Sequence, residues 1–499
     1  MNFLTIHNQQ SVPFYDIPEM TYREFLDGNS SFIEGDRDRH CVLYFGIKED
    51  VYLRLICCIA DDSTHNINIS STSVKLDAIL DSFSATNLAF EKFEREIHEN
   101  FGIAYIDHPW LKPVRYPVNG FDKSAKMSEY PFFNIEGEEL HEVGVGPVHA
   151  GIIEPGHFRF ICNGEQILHL EIQLGYQHRG VEQLFLNKTK LLQRTILAES
   201  IAGDSVIGHT TAFSYLFESL GGIAVGREVL IARTIAQELE RIAIHTGDLS
   251  AICTDVAYQL GSSVFGRLRT PIINFFQEWC GNRLAKGMIR VGYNPYPLTA
   301  ELIKRLNEVL NAFEPDFSEM GLEISKLPSI LSRFERTGML ANEQLASIGT
   351  VGMSARMNAV ERDIRVSHPY GVFSELDHEP IIKHHGDVYS RVRIRREEVI
   401  QSIAYIRRMI AMISEESASY IPSFKLRSNM FSISLTEGWR GEICHAAITG
   451  DNGDLIHYKI KDPSFHNWLA LALSVRNNEI SDFPVSNKSF DLSYCGHDL

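Results

Sequence analysis

Residues 146–182 read GPVHAGIIEPGHFRFICNGEQILHLEIQLGYQHRGVE. HFRFIC and QILHLEI are two β-rich runs either side of Asn163–Gly164, a pair suited to a tight hairpin turn. After this hairpin the chain changes character, and long amphipathic helices dominate. In 227–245, Ile231, Ile235, Leu239 and Ile242 share one helical face. In 300–314 Leu302, Leu306, Val309 and Phe313 do the same, and in 396–414 so do Val399, Ile403, Ile406, Ile410 and Ile413. Stripes at this spacing are core faces, so the expectation is a helical bundle around a large interior with a flanking sheet. EICHAAITG-DNGD-LIHYKI near the C-terminus reads as a further hairpin beside the bundle.

Upstream, CVLYFGI-KED-VYLRLICCIA at 41–60 is another hairpin. A helix is expected near 73–84 and a strand ending near 105, which makes a small α/β domain. The turn-rich stretch 117–140 contains the linker. The division expected is 1–125, a linker at 126–140, and 141–499; the fold class is α+β. The basic run from Arg391 to Arg396 alternates with Val392 and Ile394, as a strand leading into a helix would. His384 and His385 are expected in a solvated turn.

The 499 residues are too many for one ordinary domain. The formal net charge of -17 argues against a nucleic-acid binder. No run approaches the roughly 18 apolar residues of a membrane span, and MNFLTIHNQQ has no secretory pattern. Any membrane link is therefore expected through partner subunits. Cys41, Cys57, Cys58, Cys162, Cys253, Cys280, Cys444 and Cys495 are scattered, with no C-x-x-C pair, and read as buried thiols in a reducing compartment. No G-x-G-x-x-G or P-loop opens a strand–helix unit, so neither NAD nor ATP is expected on this chain.

EREIHENFGIAYIDHPWLKPVRYP at 94–117 looks like a helix end, a glycine turn and an extended arm. It resembles the signature of the small hydrophilic (30-kDa-type) subunit of respiratory complex I, through Glu94, Arg95, Glu96, Phe101, Gly102, Ile103, His108, Pro109 and Leu111. The 146–182 segment resembles the opening of the large subunit of group 4 nickel–iron hydrogenases of the formate hydrogenlyase type, related to the 49-kDa-type subunit of complex I. QELERI-x3-H at 237–245, GNR-x6-R at 281–290 and TGML at 337–340 look like later blocks of that family. So do IGTVGMSARMNAVERDIR at 348–365, GDVYSRVRIRREEVIQS at 386–402, EGWRGE at 437–442 and KDPSF at 461–465.

The hydrogenases hold nickel with soft thiolates from two C-x-x-C pairs. At the matching positions this chain has Ala202 and Ser205 early, and Ser493 and Gly496 late, with Cys495 one residue displaced. The resemblance therefore implies no metal on this chain. Complex I uses the corresponding cavity for a quinone headgroup, which makes a quinone the implied ligand; Gly203 stands where complex I has its quinone tyrosine. Glu154 matches a proton-passing glutamate, with His149, His157 and His209 as proton or quinone-site candidates. Arg356, Asp363 and Arg365 match internal charge partners that shape the cavity.

By resemblance, the chain itself binds no cofactor other than such a quinone. Its implied partners are an iron–sulfur small subunit, membrane-embedded ion-translocating subunits and a ferredoxin-like electron-transfer subunit, with no nucleic acid. It would sit peripherally on the cytoplasmic face of the membrane and pass electrons to the acceptor, coupled to ion movement. Two alternatives stand beside this: a non-catalytic scaffold or coupling subunit, and a hydrogenase with atypical nickel ligands.

Overall fold

The computed structural model describes residues 2–151, 153–413 and 425–499. Near the N-terminus come β1 (Leu4–Ile6), β2 (Ser11–Pro13), α1 (Tyr22–Ile33), β3 (Arg39–Glu49), β4 (Tyr52–Asp61) and β5 (Asn66–Lys75). Strands β1, β5, β4 and β3 form one antiparallel sheet in that order. Thr21 and Glu24 close a capping box at the start of α1, satisfying two backbone donors that the helix cannot satisfy itself. β4 is buried along nearly its whole length, as expected of a strand covered on both faces. On one side Tyr44 packs edge-on against Phe83 and Phe90; on the other, Phe45 stacks on His457 from the C-terminal part of the chain.

The helix expected at 73–84 is not formed. Lys75 is still paired with Tyr52, and β6 (Ile79–Asp81) follows, parallel to β7 (Ala104–Ile106). Sheet pairing holds this stretch extended and overrides its local apolar spacing. α2 (Glu91–Phe101) ends at Gly102, which has φ +79° and sits so close to the Phe121 ring that a Cβ would lie 2.6 Å from it. The glycine turn and extended arm read from the sequence are both present.

After 126–139, which carries a single 3-10 turn at Met127–Glu129, β8 (Leu140–Val145), β9 (His157–Asn163) and β10 (Gln166–Gln173) form a three-stranded sheet. Next come α3 (Val181–Asn187), α4 (Leu191–Ala198), α5 (Val206–Gly221), α6 (Arg227–Asp255), α7 (Gln259–Cys280) and α8 (Ala300–Ile324). Four short helices follow, α9 (Pro328–Phe334), α10 (Asn342–Ser347), α11 (Met353–Arg356) and α12 (Ile364–Ser367), and then α13 (Val388–Ala411). The stripes read from the sequence fall on α6, α8 and α13, apart from Ile413, which lies past the end of α13, and their buried members join one core. Residue 414, the last of the third stripe's window, lies outside the described residues.

Arg391–Arg396 is helix, not a strand running into one. Asp387 caps α13 by accepting from the Ser390 N–H. Arg391 and Arg395, one helical turn apart, are both buried, so the period-2 alternation was a short sample of a 3.6-residue repeat. His384 and His385 are exposed, as expected.

The last elements are β11 (Met430–Gly438), β12 (Gly441–Thr449), β13 (Leu455–Lys461), α14 (Ser464–Ser474), α15 (Phe483–Phe490) and α16 (Tyr494–Asp498). Their sheet runs β13-β12-β11-β2, so a strand from the start of the chain completes it. The class is α+β. All eight cysteines are buried free thiols.

The tight β11–β12 turn is seated by two glycines. Gly352 has φ +63°, and a Cβ there would come within 2.1 Å of the Gly441 Cα. Gly352→Ala is therefore expected to cost about 2–4 kcal/mol, from overpacking and a left-handed backbone together, readable as a lowered denaturation midpoint.

Candidate functional site

Segment 200–205, the start of α5, the β11–β12 turn, Asp462 and the tail 491–499 converge. Arg440 ties them together. Its guanidinium makes a two-pronged pair with Asp204, at 2.8 Å to Oδ1 and 2.6 Å to Oδ2. It reaches the Ser205 Oγ at 3.4 Å and donates to the Asp491 carbonyl. It also lies 3.9 Å over the Trp439 ring, whose N–H donates to the Asp204 carbonyl. Burial opposes the charge on Arg440, but Asp204 and Asp491 hold its pKa above the ordinary value.

On the tail, Ser493 caps α16 by accepting from the Gly496 N–H at 2.9 Å, and its Oγ lies 3.5 Å from the Cys495 Sγ. Glu154 reaches the same turn, accepting from the Cys495 N–H at 3.4 Å. A Cβ on Gly496 would lie 2.6 Å from the Asp462 Oδ2, so this position admits no side chain. Ala202 and Ser205 are buried, whereas Gly203 is exposed with open space where a side chain would stand.

Behind this junction runs a buried chain of hydrogen bonds. The Asp462 Oδ2 lies 3.0 Å from the His209 Nε2, the His209 Nδ1 is 3.1 Å from the His445 Nε2, and the His445 Nδ1 is 2.7 Å from the Tyr458 hydroxyl. One set of tautomers satisfies every link: Tyr458 donates to His445, His445 through Nε2–H to His209, and His209 through Nε2–H to the Asp462 carboxylate. Burial, then His209, keeps the His445 pKa well below its usual value. Burial pushes Asp462 toward the neutral acid, but the His209 hydrogen bond and charge hold it below the normal carboxylate range.

A second acid sits beneath segment 200–205. Glu240 accepts the Ile207 and Gly208 N–H groups at 2.8 and 3.1 Å, and burial pushes its pKa up to about 8. It lines a hollow of only about 10 Å³ with Gly203, Asp204 and Arg283.

The other sequence candidates are placed differently. His149 is half-buried and hydrogen-bonds the Gly156 carbonyl at 2.8 Å, closing its own loop. His157 opens β9 and packs edge-on against Phe132, on the side of the 126–139 segment. Arg356, Asp363 and Arg365 lie in a fully buried charge cluster: Arg356 reaches Glu398 at 2.5 Å and Glu437 at 2.9 Å, and Arg365 grips Asp363 at 2.7 and 2.9 Å. Sequence reading did not single out Asp204, Arg440, His445 or Asp462. Two of the blocks it quoted, EGWRGE and KDPSF, contain Arg440 and Asp462, yet pattern alone gives no partner for either.

Residues 261–427 match the family model for the respiratory-chain NADH dehydrogenase 49 Kd subunit. Hydrogenase-4 component G of Escherichia coli is 25% identical over 80% of this chain and 72% of its own length. Formate hydrogenlyase subunit 5 of the same organism is 27% identical over 80% and 74%. The fused C/D subunit of the NADH-quinone oxidoreductase of Bacteroides thetaiotaomicron is 27% identical over 74% and 75%. The chain is a relative of complex I 49-kDa-type and hydrogenase large subunits. The C/D fusions among these relatives fit a fused 30-kDa/49-kDa type of chain.

A nickel–iron centre, implied by the hydrogenase relatives, does not fit this large-subunit relative. Ala202 and Gly496 carry no donor, Ser205 is engaged by Arg440 and Ser493 by its own helix cap, and Asp462 closes the space at 496. The one thiol, Cys495, is pushed up to about 12 by burial and the Glu154 charge, so at neutral pH it is a thiol and not a thiolate ligand. Cys495 is accordingly expected to resist iodoacetamide in the folded protein at pH 8 and to label on denaturation, read by peptide mass spectrometry. No helix among the described residues is long and apolar enough to cross a membrane.

Proposed function

We propose that this chain is the large subunit of a membrane-associated, complex I-like oxidoreductase in which the junction of 200–205, Arg440 and the tail handles protons for an electron acceptor. An iron–sulfur neighbour would deliver the electrons, and a quinone is the acceptor class we favour. Quinone reduction takes up two protons with two electrons, and the carrying observation is the unbroken run Asp462–His209–His445–Tyr458 ending at the junction. Glu154 on the Cys495 N–H and Glu240 beneath Gly203 add two acids at its edge. Open space at Gly203 gives the acceptor room where complex I has a tyrosine. On this reading the chain sits peripherally on the cytoplasmic face, held by membrane-embedded ion-translocating subunits, with a ferredoxin-like subunit upstream.

A scaffold role is favoured by a different observation, the clamp of Arg440 on Asp204 with Asp462 packed against Gly496, which closes the old ligand positions. Both readings are tested on the complex purified with its native partners. The expected result is intact iron–sulfur clusters, nickel far below one per complex, and quinone-analogue reduction that stops with an inhibitor of quinone sites. One nickel per complex would overturn the proposal. Intact clusters with neither nickel nor quinone turnover would leave the scaffold.

A further inference from the structure

A second cleft lies between α2, the arm at 110–114, β10 and α14, with a volume of about 140 Å³, and shares His497 of the tail with the junction. Its lining is mainly apolar and includes Trp110, Tyr130, Leu170, Trp468 and Leu473.

Among its lining is a lysine with no ion-pair partner among the described residues. Lys92 is buried, and its two hydrogen-bond partners are both neutral: the Phe465 carbonyl at 2.6 Å and the His497 Nε2 at 3.4 Å. His497 must present that nitrogen as an acceptor, because its Nδ1 lies 2.8 Å from the Asp498 carboxylate and donates there. An ammonium has three hydrogens, so one remains. The nearby carboxylates are committed elsewhere. Glu91 binds Arg95 and the Trp110 N–H, and Asp498 binds the Gly175 and Gln177 N–H groups as well as His497. Among the described residues no ion pair joins Lys92 to a carboxylate.

The mouth adds a second donor. The Arg476 Nη2 donates to the His169 Nδ1 at 3.2 Å, which places the His169 proton on Nε2, a buried atom without a partner. An uncountered buried cation is costly unless something supplies the opposite charge. We infer that this cleft is a binding site for a small amphipathic carboxylate, its head on Lys92 and its apolar body between the two tryptophans. Burial pulls the Lys92 pKa down to about 7 in the empty cleft, and a bound carboxylate would restore its charge.

The test uses the full chain and a matched pair of probes, octanoate and octanol, followed by titration calorimetry and by tryptophan fluorescence, since Trp110 and Trp468 line the cleft. Octanoate should bind about tenfold or more tighter than octanol. Lys92→Met should remove that preference and leave octanol binding unchanged, and Leu473→Trp should block both probes by filling the cleft. Equal binding of the two probes, or binding insensitive to Leu473→Trp, would overturn the inference. So would absence of octanoate binding. If Leu473→Trp instead strips a native partner from the complex while octanoate shows no preference, the cleft holds a protein segment and the inference fails. Should Lys92→Met not fold, the octanoate-over-octanol preference and the Leu473→Trp result decide alone.

Discussion

Arg356→Met is expected to destabilise the chain by about 3–5 kcal/mol, the usual cost of breaking a buried charge cluster from one side. Arg356 is fully buried and faces three carboxylates, with Asp363 at 3.3 Å, Glu398 at 2.5 Å and Glu437 at 2.9 Å. Methionine fills much of the same volume, so the loss measures charge more than packing. Arg365 stays to hold Asp363, but nothing replaces the bonds to Glu437, whose pKa burial and then Asp363 already push up to about 7 with the arginine present.

The sign with pH follows. Without Arg356, Glu437, already raised by burial with the arginine present, has a folded pKa further above its unfolded one. Its penalty is therefore full at alkaline pH and shrinks as pH falls and it takes up a proton. Denaturant unfolding at pH 8 and pH 5 should show the larger difference from wild type at pH 8. A loss that is equal at both pH values would mean that the cluster is held by shape, not charge.

The same cluster shows what a sequence conveys and where it stops. Hairpins at 41–60 and 157–173 are legible because two β-rich runs flank a short turn in each. α6, α8 and α13 are legible because a long helix repeats its buried face many times. The segments 73–84 and 391–396 are too short to tell one period from the other, and a strand partner in the first case and an N-cap in the second decided them. Of the site, the sequence supplied Ala202, Ser205, Ser493 and Gly496 as candidates, on the two segments that meet around Arg440. The pairing of Arg440 with Asp204, 236 residues away, was not legible, nor was that of His209 with Asp462, 253 residues away. No local pattern encodes such pairs; they are products of the fold.

His209→Gln is expected to slow acceptor reduction by about a hundredfold, at the lower end of what a positioned acid–base group contributes. Glutamine can still bridge His445 and Asp462 with its amide, so assembly and thermal stability should change little. It cannot take a proton at one end while releasing one at the other, as imidazole does. The readout is quinone-analogue turnover by the complex with native partners, measured across pH. If the run is a relay, its interruption should flatten the pH profile at the same time as it lowers the rate, and Asp462→Asn should reproduce both effects from the other end. If the histidines only brace β12 against α5, His209→Gln should leave rate and profile alone, because the bracing hydrogen bonds survive the substitution. Tyr458→Phe then sets the direction of travel. Tyr458 is buried and stacked 4.1 Å from Phe185, so a loss of rate there would mean that protons enter past α3. An unchanged rate would mean that they reach Asp462 from the Glu154 and Gly203 side.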